Sequence, residues 1–143
     1  LLAAVRASGC RAVIYTTDPA LAGHPWVPEV LVVGRLPHAL LFPRVALVVH
    51  HGGAGTIARA ARAGIPQVIL PHVLDQFPWS ARIAERGLGP GPFLKHRPTS
   101  GLLAVRIRET LGDVGMRDRA LNLARELAGR DGAARAAEML TAD

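Results

Sequence analysis

The sequence is poor in cysteine, in aromatic residues and in long apolar runs. Cys10 is the single cysteine among 143 residues, which excludes an internal disulfide framework and a cysteine-based zinc site. No apolar run approaches the ~20 residues that a membrane-spanning helix requires. Residues 1–6 carry neither a basic leader nor a long apolar stretch, so we expect no signal peptide, no transmembrane segment and a cytoplasmic location.

Positive charge, in contrast, is in excess. The formal net charge is +6 and the isoelectric point is about 11.2. Residues 1–75 hold six basic and three acidic side chains, and the remainder holds eleven and eight, so the excess is spread evenly. Because there is no basic tail or cluster, we interpret the charge as a solvated arginine-rich surface and expect no nucleic-acid partner.

Apolar, β-rich runs alternate with helical segments along the chain. Half of the residues are apolar and a fifth are charged, which is typical of one globular domain with a sizeable core. The predicted strands cover residues 12–16, 30–33, 45–49 and 67–70, with a loop over 18–28. The predicted helices cover residues 1–8, 38–42, 56–63 and 76–85, and a block of helices follows from residue 98. This order predicts an α/β fold, a Rossmann-like doubly wound parallel sheet covered on both faces.

A doubly wound sheet binds its ligand at the carboxyl ends of its strands. The third predicted strand runs into a glycine turn and then a helix, at His50–Thr56. Free N–H groups in the first helical turn and the helix dipole favour an anion there, and Gly53 and Gly55 let a phosphate approach the backbone. Thr56 is placed either to cap the helix or to donate its hydroxyl, and His51 can add an N–H donor or a positive charge.

The glycine turn leaves more than one phosphate ligand possible. No lysine follows the glycines, which argues against a P-loop. The spacing Gly53-x-Gly55-x-x-Ala58 does match the dinucleotide-binding fingerprint. However, the acid that binds the ribose should end the next strand, where Leu70–His72 stands instead, and Asp75 lies beyond a proline-containing loop. A dinucleotide-binding oxidoreductase therefore remains a competing hypothesis.

A carboxylate and an amide follow the fourth strand. Asp75 can cap the helix that begins near Gln76, or the two side chains can bind the hydroxyls of a sugar. The chemistry of the side chains alone does not decide between these alternatives. The position of Asp75 and Gln76 opposite the phosphate-binding turn at His50–Thr56 favours sugar binding. His50 is similarly divided between supporting the turn and binding a ligand. Four further histidines show no metal-ligand spacing with an acidic partner: His24, His38, His72 and His96.

Several segments together resemble a known family. They are Val48–Thr56, Ala63–Gln67, Asp75–Gln76, Leu36–Pro43 and Gly87–Pro90. In this order they are similar to the C-terminal, donor-binding half of family 1 glycosyltransferases of the GT-B fold. Sterol glucosyltransferases and the bacterial glycosyltransferases that modify antibiotics have the most similar pattern.

The resemblance implies a role for each matching residue. His51 would contact the diphosphate of the donor, Leu36 would meet the nucleobase through its backbone, and Asp75 with Gln76 would bind the hexose. The phosphates would be held by backbone N–H groups and one hydroxyl, those of Gly53, Ala54, Gly55 and Thr56. The implied reaction is inverting transfer of a hexose from UDP or dTDP to an acceptor hydroxyl, without a metal ion and without a cofactor, since the nucleotide sugar is a substrate.

The chain is shorter than the members of this family. Family members have two Rossmann-like domains, and the general base belongs to the N-terminal one, so no catalytic residue is expected among residues 1–143. Their donor domain opens with a central strand that precedes the helix resembling residues 1–8. We therefore expect residues 1–143 to be a donor-binding domain incomplete at its N-terminus. Its partners would be the nucleotide sugar, a small lipophilic acceptor and an upstream acceptor domain or chain. A non-catalytic nucleotide-sugar-binding module is the alternative.

Overall fold

The structure is a computed structural model that describes residues 1–22, 27–93 and 98–141. Its strands are β1 (Ala12–Tyr15), β2 (Val30–Val33), β3 (Val48–His50) and β4 (Gln67–Ile69). Its helices are α1 (Leu2–Ser8), α2 (Pro19–Ala22), α3 (His38–Leu41), α4 (Ala54–Ala63), α5 (Gln76–Glu85), α6 (Ser100–Gly112), α7 (Val114–Ala128) and α8 (Gly132–Thr141). A 3₁₀ turn, Phe42–Arg44, follows α3 directly.

All strand pairing among these elements is parallel. β1 pairs with β2, with Ala12 opposite Val30. β3 pairs with β4, with Val48 opposite Gln67 and His50 opposite Ile69. Parallel strands connected by helices confirm the predicted α/β class and place the carboxyl ends of each strand pair at one edge.

The four strands form two separate two-stranded sheets. No described strand lies beside the second edge of β1 or of β3. The continuous sheet of the sequence prediction is therefore interrupted between these two strands.

Helices cover both faces of β4, whereas one face of the β1–β2 pair is open. Val68 packs with α1 and α6, and the next residue, Ile69, packs with α4, α5 and α7, because successive strand side chains point to opposite faces. In the other sheet, Val13 and Leu31 lie opposite each other and remain 37% and 61% exposed. Among the described residues, the predicted cover on both faces is confirmed at β4, whereas this face of β1 and β2 stays accessible.

Two element boundaries also differ from the sequence prediction. A helical turn, α2, occupies part of the predicted loop 18–28, of which residues 23–26 lie outside the described residues. The third strand begins at Val48 rather than Val45, because Val45 still donates its N–H to Phe42 O to close the 3₁₀ turn. Pairing then starts where the Val48 N–H reaches the carbonyl of Pro66, at 3.1 Å.

Gly89 lies where the chain runs close against Gln67, the first residue of β4. Gln67 donates its N–H to Leu88 O at 2.9 Å, and a Cβ at Gly89 would overlap the carbonyl oxygen of Gln67. Gly91 follows two residues later, and a Cβ there would meet nothing within 4 Å.

We expect Gly89→Ala to lower the free energy of unfolding by at least ~2 kcal/mol, because the methyl group must push two backbone segments apart. Urea denaturation followed by circular dichroism measures this. Gly91→Ala is the matched control and should change stability by less than ~0.5 kcal/mol. Equal stability of the two variants would show that this close approach is not maintained in solution.

Candidate functional site

His50 holds the turn after β3, and both of its ring nitrogens are hydrogen-bonded within the protein. Gly52 adopts φ +97°, and a Cβ there would lie 2.8 Å from Ile69 Cγ2, so both the dihedral angle and the space require glycine. The Gly52 N–H donates to His50 Nδ1 at 3.1 Å. His50 Nε2 lies 3.0 Å from Gln67 Oε1, and because Nδ1 accepts, Nε2 carries the proton and donates.

The same histidine is kept neutral by its surroundings. Burial lowers the pKa of His50 from 6.5 to about 4, with the hydrogen bond to Gln67 opposing the shift and the nearby His51 and His38 adding to it. A neutral ring with both nitrogens bonded supports the turn. Of the two roles that the sequence left open for His50, the structure favours this one.

The first turn of α4 presents free N–H groups to solvent. The helix begins at Ala54 with Gly53 as its N-cap residue, and the carbonyl of Gly53 accepts from Thr56 N at 2.9 Å and Ile57 N at 3.0 Å. Thr56 is therefore inside the helix, so of its two alternative roles the structure does not support the helix cap. Within the described part of the chain, the N–H groups of Gly53, Ala54 and Gly55 have no hydrogen-bond acceptor. These three donors at a helix N-terminus form an anion-binding position.

His51 lies directly over this position. Its side chain is exposed, and a Cβ built on Gly53 would be 2.7 Å from His51 Nε2. His51 and the half-buried Thr56 line the same cavity. A ligand bound to the helix N-terminus is thus within reach of an imidazole and a hydroxyl as well as of backbone donors.

Asp75 and Gln76 stand where β4 leads into α5. Asp75 occupies the N-cap position, but its carboxylate makes no capping hydrogen bond and is exposed, so the helix-cap alternative is not supported. Gln76 Oε1 accepts from the backbone N–H of His72 at 2.7 Å and of Val73 at 3.1 Å. Among the described residues, the Asp75 carboxylate and the Gln76 amide NH₂ have no hydrogen-bond partner. Leu74, immediately before them, has φ +46°, a conformation that costs a non-glycine residue about 1 kcal/mol.

The two segments lie close together. A Cβ on Gly52 would lie 3.4 Å from Gln76 Cβ. This proximity follows from the parallel pairing of β3 with β4, which ends both strands at the same edge. The structure therefore places the glycine turn before α4 next to the start of α5, where Asp75 and Gln76 lie.

Leu36 lies apart from the glycine turn and the start of α5, in a pocket at the carboxyl ends of β1 and β2. The pocket has a volume of about 410 Å³ and is lined by Leu36 and four neighbours: Tyr15, Thr17, Arg35 and Pro37. Sequence reasoning missed Tyr15, Thr17 and Arg35 as site residues. Their position directly after two predicted strands was the available signal, since that is where this kind of sheet binds its ligand.

Within residues 1–22, 27–93 and 98–141, no three histidine, cysteine, aspartate or glutamate side chains converge on one point. No helix in the same ranges is long and apolar enough to cross a membrane. His24 and His96, which the sequence had assigned no metal role, lie outside the described residues.

The fold and the site define a class of protein. A parallel strand leads through a glycine turn into a helix with free N–H groups, and a carboxylate and an amide follow the neighbouring strand. This arrangement is typical of a Rossmann-like domain that binds a phosphate-bearing ligand.

Comparison with known proteins identifies the family. Residues 4–142 match the family described as erythromycin biosynthesis protein CIII-like, C-terminal domain. A sterol 3-beta-glucosyltransferase of Arabidopsis thaliana is 42% identical over 113 residues, which are 78% of this chain and 18% of the plant protein. Vancomycin aglycone glucosyltransferase of Amycolatopsis orientalis is 39% identical over 107 residues, 73% of this chain and 26% of that protein. The chain belongs to the erythromycin biosynthesis protein CIII-like C-terminal domain family.

A solved structure supports the same assignment. Spinosyn rhamnosyltransferase complexed with thymidine diphosphate superposes with a TM-score of 0.86 at 28% identity, over 99% of this chain and 40% of that one. The chain therefore has the fold of the C-terminal, Rossmann-like half of a glycosyltransferase. It spans about a fifth to a quarter of the two curated relatives described above.

The buried histidine predicts a specific dependence of stability on pH. The pKa of His50 is about 4 in the folded protein and 6.5 in the unfolded chain. Its neutral form therefore stabilises the fold fully above pH 6.5, and this contribution is lost as the pH falls from 6.5 towards 4. The lowering of the His50 pKa on folding corresponds to a contribution of about 3 kcal/mol at most to the free energy of unfolding.

Urea titrations from pH 7 to pH 4 test this against His50→Asn, which keeps an acceptor for the Gly52 N–H but does not titrate. We expect the wild-type free energy of unfolding to fall more steeply than that of the variant over this interval. Parallel pH profiles for the two proteins would contradict the assignment of a neutral, buried His50.

Proposed function

We propose that this chain is the donor-binding part of a glycosyltransferase and binds a UDP- or dTDP-hexose. The observation that carries the proposal is the proximity of two segments: the glycine turn that leads into the free N–H groups of α4 lies next to Gln76, at the start of α5. One segment suits a diphosphate and the other suits sugar hydroxyls, so together they match a nucleotide sugar. The family membership and the fold of a glycosyltransferase half support the same assignment.

The diphosphate is held at the N-terminus of α4. The N–H groups of Gly53, Ala54 and Gly55 donate to its oxygens, and the Thr56 hydroxyl adds a further donor. His51, placed over Gly53, donates a hydrogen bond from its ring. During transfer, negative charge accumulates on the leaving diphosphate, and these fixed donors stabilise it without a metal ion or a cofactor.

The hexose and the nucleobase extend in different directions from this point. The Asp75 carboxylate accepts hydrogen bonds from neighbouring hydroxyls, and the Gln76 NH₂ donates one. The nucleobase lies in the pocket of about 410 Å³ that contains Leu36, where backbone groups of residues 35–37 read its edge and Arg35 can stack on its face.

The acceptor is activated from outside residues 1–143. In the reaction we propose, a general base of an acceptor domain removes the proton of a hydroxyl on a small lipophilic acceptor, which attacks the anomeric carbon. The bond to the diphosphate breaks with inversion, and the diphosphate leaves at the α4 N-terminus. The proposal includes a cytoplasmic location and predicts that residues 1–143 alone bind the donor without turning it over.

Removing the His51 imidazole should weaken binding of the nucleotide and leave the fold intact. We expect His51→Ala to raise the Kd for UDP or dTDP by roughly ten- to a hundredfold, the loss of one charge-assisted hydrogen bond. Isothermal titration calorimetry measures this. Arg117→Ala, which removes an exposed cationic side chain of α7 that lines neither cavity, is the control and should bind as the wild type does. An unchanged Kd in His51→Ala, or tight binding of NAD with no response to nucleotide sugars, would contradict the proposal.

Asp75→Asn should affect the sugar but not the nucleotide. The amide keeps the shape of the carboxylate but accepts hydroxyl hydrogen bonds more weakly, so we expect the Kd for UDP-glucose or dTDP-glucose to rise by roughly tenfold. The Kd for UDP and dTDP should stay within about twofold of wild type. If both affinities fall together, Asp75 supports the crevice structurally rather than binding the hexose.

A further inference from the structure

Gln67 is a buried polar residue in a strand that is otherwise apolar. Its side chain is 1% exposed, and the two residues that follow it in β4, Val68 and Ile69, are also buried. Inner strands of parallel sheets are usually apolar throughout, because a buried amide costs free energy unless it is hydrogen-bonded. The Oε1 atom of Gln67 lies 3.0 Å from the ring of His50. The hydrogen bond to His50, rather than packing, therefore explains an amide at this position.

The register of β3 and β4 brings these two side chains together. Val48 lies opposite Gln67, and His50 lies opposite Ile69. Because strand side chains alternate between faces and paired residues share one face, His50 and Gln67 lie on the same face as Ile69, which α4 and α5 cover. The backbone of Gln67 is fixed as well, since its N–H donates to Leu88 O at 2.9 Å. The amide is thus held in place beside the histidine ring.

One backbone proton determines the direction of both hydrogen bonds of His50. The N–H of Gly52 can only donate, so His50 Nδ1, 3.1 Å away, must accept. The ring is neutral because burial lowers the pKa of His50 to about 4, so its one N–H is on Nε2 and donates to Gln67 Oε1. In the other neutral tautomer, a proton on Nδ1 would face the proton of Gly52. Gln67 therefore stabilises the tautomer that the turn requires.

The peptide group that contains the Gly52 N–H joins the candidate ligand-binding groups of the turn. Its carbonyl belongs to His51, and Gly52, at φ +97°, leads into Gly53, the N-cap residue of α4 with a free N–H. A Cβ on Gly53 would lie 2.7 Å from His51 Nε2, so this ring and this donor are close neighbours. Rotation of the peptide group between them would move both.

We propose that Gln67 is a positioning residue for the diphosphate site, which fixes the tautomer of His50 and thereby orients the His51 ring and the Gly53 N–H. The inference rests on the proposed function, because it assigns Gln67 a role in binding the diphosphate. Gln67 is buried and acts through His50 rather than on the ligand. An apolar residue of similar size would fill the same space, but both tautomers of His50 would then form.

Gln67→Leu removes the acceptor and keeps the approximate size of the side chain. We expect it to raise the Kd for UDP, measured by isothermal titration calorimetry, by roughly tenfold, since the turn would no longer hold its donors in one geometry. Val68→Ala is the matched control, because it removes buried atoms from the same strand on the opposite face. It should lower stability and leave the Kd within about twofold of wild type.

A double-mutant cycle with His50→Asn shows whether Gln67 acts through the histidine. The asparagine side chain can still accept from the Gly52 N–H two residues on, but it has no tautomers. In this background we expect Gln67→Leu to change the Kd for UDP by less than about twofold. An equal loss of affinity in both backgrounds, or wild-type affinity in Gln67→Leu alone, would overturn the proposal.

The tautomer itself is observed by NMR in the absence of a ligand. Long-range nitrogen–proton correlation spectra of the imidazole rings at neutral pH should show His50 protonated on Nε2 alone in the wild type. Gln67→Leu should show both tautomers, whereas Val68→Ala should resemble the wild type. A wild-type His50 protonated on Nδ1 would overturn the inference, even if Gln67→Leu does not fold.

The same measurements separate this inference from the proposed function. A wild-type chain that binds neither UDP nor dTDP would contradict the proposed function and, with it, the role of Gln67 in binding. Wild-type binding of UDP with an unaffected Gln67→Leu variant would contradict only the role of Gln67.

Discussion

The parallel pairing of β3 with β4 is the constraint on which the site depends. It places the turn that follows His50 beside the loop that follows Ile69, so the α4 N-terminus and Asp75 share one edge. It also brings Gln67 within 3.0 Å of the His50 ring. That hydrogen bond and the one from Gly52 hold the turn in the geometry that leaves the α4 donors free. The binding chemistry is therefore a consequence of strand register.

The position of His50 illustrates why two adjacent histidines serve different purposes. Alternation along the strand end directs the His50 ring inward, where burial keeps it neutral and both of its nitrogens are bonded. His51 is exposed and lies over the glycine turn. One ring determines the shape of the turn, and the other is available to a ligand. The same residue type thus has two different environments because one step along the backbone changes its surroundings.

The gap between the two sheets affects the site as well as the fold. His51 and Thr56 line the cavity that separates β1 from β3, so the proposed donor site adjoins this cavity. The pocket beside Leu36 belongs to the β1–β2 sheet and the glycine turn to the β3–β4 sheet, so the proposed site draws on both sheets.

The sequence by itself determined the class of the fold, the strand-to-helix order and the residues of the glycine turn, because these depend on local patterns of apolar residues, glycine and proline. The strand-end position and the chemistry of the side chains favoured Asp75 and Gln76 as sugar-binding residues, and the resemblance to glycosyltransferases added Leu36. Local patterns did not determine the bonding of His50, the start of α4 at Ala54 or the free carboxylate of Asp75. They also did not reveal Tyr15, Thr17 and Arg35 beside Leu36. Those features were decided by tertiary structure, since they depend on which strand lies next to which and on contacts between residues far apart in the chain.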